Sequence, residues 1–294
     1  MSAITETHAR QGRAMLKPAR TVTPETYALY RAKAPGLFVR PRAALIRERG
    51  LWTLLFLALG FGLWWIDASP IRIWEGLSRL GFLVALMLPP ASGGAFWSLC
   101  YALLQTLAMA FLGTLIAAVV AVPLGFLGAR NVVPNWLFHF SLRRVFDGFR
   151  GIDTLVWALI FVSAVGMGPF AGILAIAFSD VMVLAKLYAE AIENVDEKPV
   201  EGVRAAGANP MQALRLAVFP QVLPVMTSHV LYFFESNVRS AAILGIVGAG
   251  GIGLQLSERI RINSWDEVFF IILMILVTVA IIDTVSKKIR MKLV

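Results

Sequence analysis

Charge is what this sequence is short of. Only 15% of its 294 residues are Asp, Glu, Lys or Arg, against about 25% in an ordinary soluble domain. Hydrophobic residues make up 58%, above the usual ~45–50%. That balance excludes an ordinary globular enzyme, and the apolar runs have lengths that match a bilayer rather than a soluble core. There is one cysteine, Cys100, inside an apolar run. No disulfide can close within the chain, so the redox compartment cannot be read from it. The three histidines, His8, His139 and His229, are scattered and give no metal-ligand spacing. A nucleophile–base pair, a paired-carboxylate site and a Walker A sequence are also lacking. Any ATP used must then be hydrolysed by another chain. The first apolar run begins near Leu51, after a long polar leader, which is not the layout of a cleaved secretory signal.

What is present is organised by charge and hydropathy. The formal net charge is +9, and the basic residues flank apolar runs. That is the positive-inside pattern of a membrane protein rather than a nucleic-acid footprint. Residues 1–50 read as a basic cytoplasmic tail interrupted by Pro18, Pro24, Pro35 and Pro41, attracted to anionic headgroups. Residues 51–96 hold a first span over 51–66 and an external segment. In that segment Leu77–Leu88 is too short to cross and stops at Pro89-Pro90. The transmembrane domain covers 97–286, with further spans over 97–126, 152–165, 170–188, 218–234 and 268–285. Residues 287–294 form a basic C-terminal tail. The expected fold is all-α, a polytopic bundle of about six transmembrane helices. Alternation puts both termini, Arg130–Arg150 and 190–215 in the cytoplasm. Asp153, Asp180 and Lys186 fall at or near span ends and receive no functional role.

One cytoplasmic loop breaks the charge rule. Residues 190–215 carry five acids, Glu190, Glu193, Asp196, Glu197 and Glu201, against Lys198, Arg204 and Arg215. The loop also carries helix punctuation. Pro199 suits a first helical position and Glu201 the first turn. Ala205 and Ala206 favour helix, and Gly207 suits a left-handed stop. Asn209 can cap and Pro210 can open a second short helix, which Pro220 ends or kinks. The pattern predicts two short helices joined at a small-residue elbow. Such an elbow is either a solvated hairpin or an insert for a groove on another protein.

At this point a resemblance enters. Glu201, Gly207 and Pro220 match the Glu, Gly and Pro of the coupling-loop motif of ABC importer permeases at its spacing. Gly202, Val203, Ala217 and Phe219 depart from it with small or apolar residues. Further stretches resemble the phosphonate-transport branch of that family. They are Leu107–Leu115, Pro123–Asn131, Arg150–Trp157, Glu193–Pro199 and Phe234–Gly253. The resemblance implies the permease (MetI-like) core and import of a phosphonate or a related phosphorus oxyanion such as phosphite, hypophosphite or phosphate. It implies a homodimer with a second copy of the chain, two cytoplasmic ATPase subunits and an external solute-binding protein in a bacterial inner membrane. ATP and Mg would sit on those ATPases, with no cofactor on this chain. The coupling residues would be Glu201, Gly202, Ala205, Ala206, Gly207, Asn209, Pro210 and Pro220. A self-contained secondary transporter or channel for a small anion is the alternative, but the sequence shows no internal repeat of the kind common in that class.

Two further features point at the translocation pathway. Gly248-Ala-Gly-Gly-Ile-Gly253 matches G-x-G-x-x-G literally, yet it lies between two spans and lacks the strand–helix setting of a dinucleotide site. Irregular backbone at membrane depth is tolerated where it lines a cavity, so Ser240–Gly253, with Gly248, Gly250, Gly251 and Gly253, is expected to form half-helices beside the path. Glu235 and Arg239 are spaced for a helical ion pair. Ser236, Asn237 and Ser240 surround them on the expected pathway; alternatively, Arg239 with Ser236 and Asn237 contacts a passing oxyanion, which a guanidinium suits.

Overall fold

The computed structural model describes residues 42–293, together with Ala28 and Ala32. Regular structure among the described residues is helical throughout. The basic tail expected over 1–50 lies outside them as far as Pro41, those two alanines apart. The chain divides into two units, residues 1–78 and 79–294.

The first unit contains α1, Arg42–Trp65, whose side chains from Leu51 onward are mostly exposed. Asp67, at φ +54°, turns the chain. An ion pair of 2.6 Å between Arg72 and Asp67 braces that turn. Helix α2, Pro70–Leu86, crosses the division between the units.

The second unit is a helical bundle. It comprises α3 (Phe96–Gly128), α4 (Trp136–Arg150), α5 (Thr154–Val165), α6 (Pro169–Glu193), α7 (Glu197–Ala205) and α8 (Pro210–Ala213). A π-helical turn over Leu214–Val218 leads into α9 (Phe219–Leu244). A second, Gly245–Ala249, precedes α10 (Gly251–Arg261), and α11 is Trp265–Leu293. Local chemistry sets several of these boundaries. Asn135 caps α4 by accepting from the Phe138 N–H, and Asp153 caps α5 by accepting from the Leu155 N–H. Pro169 opens α6.

Among the described residues, four helical stretches are long and apolar enough to cross a membrane: Phe96–Gly128, Pro169–Glu193, Pro210–Ala249 and Trp265–Lys292. Helices α4 and α5, bent by 81° at their break, make a fifth if the pair counts as one. About six were expected, and the difference lies in two segments. Helix α5 has 12 residues, or about 18 Å of helix against a hydrocarbon core of about 30 Å. In α1 the apolar run is preceded directly by Arg47, Glu48 and Arg49.

The bundle closes around α3 and α6. Ala110, Gly113, Ala117, Ala121, Gly125 and Gly128 recur every three or four residues along α3, all buried, so they share one face. Ala175, Ala185 and Ala189 answer from α6. The backbones come so close that a Cβ on Gly113 would sit 2.7 Å from the Ile176 side chain, and one on Gly125 2.6 Å from Tyr188 Cβ. Lipid supplies no hydrophobic drive between spans, so close van der Waals packing through small residues holds them. The large apolar side chains point outward instead: Phe111, Leu104 and Val119 on α3 are exposed, as suits a face toward lipid.

Candidate functional site

The chain between α6 and α9 makes a rigid elbow. Asp196 caps α7, accepting from the Lys198 N–H. The helix therefore starts earlier than the sequence suggested. Pro199 is the third helical residue, the acid in the first turn is Glu197, and Glu201 lies one turn further on, exposed. At the other end the Gly207 N–H donates to the Arg204 carbonyl (2.9 Å) and the Ala208 N–H to the Val203 carbonyl (3.3 Å). Gly207 has φ +88°. These two bonds and the left-handed residue are the Schellman stop. Two residues later a capping box starts α8: the Gln212 N–H donates to Asn209 Oδ1 (2.8 Å), the Asn209 N–H to Gln212 Oε1 (2.9 Å), and Pro210 follows. Every turn of the elbow is thus held by backbone or near-backbone bonds. Ala205, Ala206, Gly207, Asn209 and Pro210 are exposed around it, as are Gly202, Met211 and Leu216. A cleft of about 210 Å³ lies between α7 and α8, with Glu201, Arg204, Pro210 and Leu214 in its lining.

The second helix of the elbow is not short. Pro220 neither ends nor interrupts it, because the π turn over Leu214–Val218 absorbs the register change before it. Residues 210–249 therefore form one 40-residue helical stretch, a continuous rod until Gly248 leaves helical geometry at φ +102°. Gln221 on that rod reaches back to the start of α7. The Asp196 N–H donates to its Oε1 (3.0 Å), and its Nε2 donates to the Asp196 carbonyl (3.3 Å) and the Ala217 carbonyl (2.9 Å). Its signal in sequence was faint: a glutamine just beyond the motif proline.

At the foot of α6, Glu193 collects three partners. It accepts from the Arg130 backbone N–H (2.8 Å) and Arg143 Nη2 (2.7 Å), and His139 Nε2 stands 3.3 Å away. Lys186 pairs with Asp147 of α4, and that hydrogen bond holds the Asp147 carboxyl below its usual value. Asn131 Nδ2 donates to the Ile192 carbonyl at 2.7 Å. The ends of α3, α4 and α6 are thereby tied together immediately before the elbow begins.

The residues expected on the pathway separate into three settings. Asn237 is buried in the core, where its Nδ2 donates to Thr114 Oγ1 of α3 (2.9 Å) and to Asp180 Oδ2 of α6 (2.5 Å). Asp180 is thus a buried core group in mid-helix, not a residue at a span end. Arg239 does not pair chiefly with Glu235, which stands 3.9 Å away. Its Nη1 donates to both carboxylate oxygens of Asp283 on α11 (3.1 and 3.3 Å), and Glu235 is taken by Arg290 of α11 (2.5 Å). Two cross-helix pairs thus join α9 to α11, an arrangement that the local spacing could not reveal. Ser236 and Ser240 stay half-buried on the same helix.

The glycine string reverses the chain. Gly248, Gly250 and Gly251 have φ of +102°, +80° and +68°, a region that L side chains avoid. Residues 248–253 are all buried. The Ile252 N–H donates to Thr106 Oγ1 (2.9 Å), and the Gly168 N–H to the Gly248 carbonyl (3.0 Å). A Cβ on Gly253 would lie 1.9 Å from the Ala242 carbonyl oxygen, and one on Gly245 2.5 Å from that of Gly250. Half-helices do meet here, and the contacts these glycines make are protein packing.

Spans packed through small residues, polar groups paired inside them, and an exposed rigid elbow fused to one long helical rod define a polytopic membrane transport subunit. The chain belongs to the family described as binding-protein-dependent transport system inner membrane component, whose model matches residues 121–290. It is 38% identical over 247 residues to the phosphite transport system permease protein PtxC of Stutzerimonas stutzeri, covering 83% of this chain and 89% of that one. It is 39% identical over 229 residues to the phosphate-import permease protein PhnE of Mycolicibacterium smegmatis, covering 78% of this chain and 43% of the relative. Among solved structures it resembles an inward-facing MetNI methionine ABC transporter, at TM-score 0.61 and 24% identity. That match covers 69% of this chain and all of the other, and it concerns the fold.

Proposed function

We propose that this chain is the permease subunit of an ATP-driven importer for a phosphorus oxyanion of the phosphonate, phosphite or phosphate type. Two copies would form the membrane passage. Two cytoplasmic ATPase subunits, which bind ATP and Mg, would dock on the elbow, and an external binding protein would deliver the cargo. Both termini and the elbow lie on the cytoplasmic side in this reading, as the basic flanks of the spans favour.

The observation that carries the mechanics is the elbow's rigidity. Schellman stop, capping box and Gln221 bridge leave it little freedom of its own, and α8 continues without a break into α9. A push on the exposed Met211 and Leu216 side would move the rod as a lever rather than dissipate in a loop. The spans then exchange between two arrangements, and ATP biases the population by favouring one of them. The flank of α9 carrying Ser236, Arg239 and Ser240 would face the path across the dimer. There a guanidinium already shared with Asp283 holds an oxyanion weakly enough to release it. The glycine reversal at 248–253 would fix where the half-helices end beside that path.

The test is uptake of radiolabelled phosphite, phosphate and methylphosphonate into proteoliposomes. They would hold the chain, its ATPase and its binding protein. Uptake that requires ATP and the ATPase supports the reading. Uptake by this chain alone, driven by an ion gradient, refutes it.

A further inference from the structure

Helix α4 is built unlike the spans. One side is apolar and exposed: Trp136 is 74% exposed, Leu137 66% and Phe140 45%. Trp136 stacks on Phe140 at 5.8 Å, and the Arg144 guanidinium lies over the Phe140 ring at 5.1 Å. Beside this ridge is a cavity of about 230 Å³ lined by Arg130, Arg143, Arg144 and Lys186, with His139 and Asp147.

The charges there do not balance. Four cations share two carboxylates, Asp147 in the lining and Glu193 beside it. Glu193 takes Arg143 at 2.7 Å and Asp147 takes Lys186 at 2.5 Å, which leaves Arg144 a loose 3.7 Å approach to Asp147. Among the described residues Arg130 has no carboxylate for its guanidinium, only a long 3.5 Å hydrogen bond to His139 Nδ1. Arg143 Nε is buried with no hydrogen-bond partner among the described residues, a state that costs free energy unless something accepts from it. Unspent guanidinium donors around a cavity suit a phosphate group, which takes them in parallel.

We infer that this cavity is a site for the phosphate headgroup of an anionic phospholipid. The exposed Trp136–Phe140 ridge decides for a lipid over a free anion, because an amphipathic helix with basic residues beside an apolar face lies in the membrane interface. There the acyl chains would cover the ridge while the headgroup meets the cations. The inference rests on α4 lying at the membrane surface, as the 81° bend to α5 favours. It does not depend on what the transporter carries.

The experiment uses the full chain in nanodiscs of phosphatidylcholine with a small fraction of phosphatidylglycerol, and counts retained lipid by native mass spectrometry. Each cation removed near a headgroup is expected to weaken retention about fivefold. Arg130→Gln with Arg144→Gln should therefore cut phosphatidylglycerol retention by more than tenfold. The change Arg204→Gln, at an exposed cation on the elbow, should leave it unchanged. Arg130→Gln keeps the backbone N–H that Glu193 uses. If the double variant does not fold, Arg144→Gln alone, at a largely exposed side chain, carries the fivefold expectation. Equal retention of phosphatidylcholine, or wild-type retention by the folded variants, would overturn the assignment. So would inorganic phosphate binding in pure phosphatidylcholine discs with the same dependence on Arg130 and Arg144, because that would make this a free-anion site.

Discussion

Four single glycine-to-alanine changes separate packing from backbone freedom in this chain. At Gly253 an added methyl carbon would stand 1.9 Å from the Ala242 carbonyl oxygen and 2.9 Å from Gly245 Cα. The first distance is roughly 1.5 Å short of ordinary contact, and both obstacles are backbone, so no side chain can swing aside. Helix α10 must shift against α9. The expected cost is at the upper end of the ~1–3 kcal/mol typical of overpacking. At Gly207 the space is open but φ is +88°, so Gly207→Ala should cost about 1–2 kcal/mol through strain alone and act locally on the elbow. Gly250 combines φ +80° with a 3.1 Å approach to Pro169 and should cost at least as much as Gly207. Gly202 is helical with nothing within 4 Å, so Gly202→Ala should stabilise by about 0.5–1 kcal/mol. The assay is thermal unfolding of the detergent-purified chain, with membrane yield as a second readout. The predicted order is Gly202→Ala above wild type, then Gly207→Ala, with Gly253→Ala lowest. Wild-type stability in Gly253→Ala would refute the close α9–α10 contact.

Other expectations concern the polar groups. Asn237→Ala removes the amide that Asp180 and Thr114 share and should destabilise the bundle by about 1–3 kcal/mol; an unfolding curve matching wild type would show that the buried bonds contribute nothing. Gln221→Leu breaks the bridge from α9 to Asp196. It should leave the chain folded and the ATPase bound while lowering cargo moved per ATP hydrolysed, and an unchanged ratio would count against the lever. The Asp147 carboxyl, held low by the Lys186 hydrogen bond, contributes stability above its unfolded value near ~4, and loses it as pH falls through the lower folded value. Stability curves of wild type and Asp147→Asn should therefore differ at neutral pH and converge in acid.

Much of this architecture was written in local patterns, and the rest depended on contacts across the chain. Gly207, Asn209 and Pro210 announce the elbow because a left-handed stop and a cap are one-residue chemistry. The end of α8 was misread because Pro220 normally breaks a helix, and a π turn that rescues it leaves no periodic trace. The span read over 152–165 corresponds to α5, whose 12 residues reach membrane length only together with α4 across an 81° bend, a pairing that composition alone does not reveal. Arg239 seemed to belong to Glu235 because four-residue spacing is visible in sequence, whereas Asp283 lies 44 residues away. Asp180 stands midway along α6, and the Asn237 amide that meets it there lies 57 residues away. The cations that line the cavity beside α4 are scattered over 57 positions, from Arg130 to Lys186, and only the fold gathers them.

The central claim is that force enters this chain through the exposed turn at 205–210. With Cys100 replaced by Ser, Ala206→Cys offers a single thiol at its tip. In inside-out vesicles holding the assembled importer, a short bifunctional thiol–amine reagent should join that position to the ATPase chain, with a yield that changes when ATP is added. A thiol labelled only from the external side, or one that never captures the ATPase, would contradict the account.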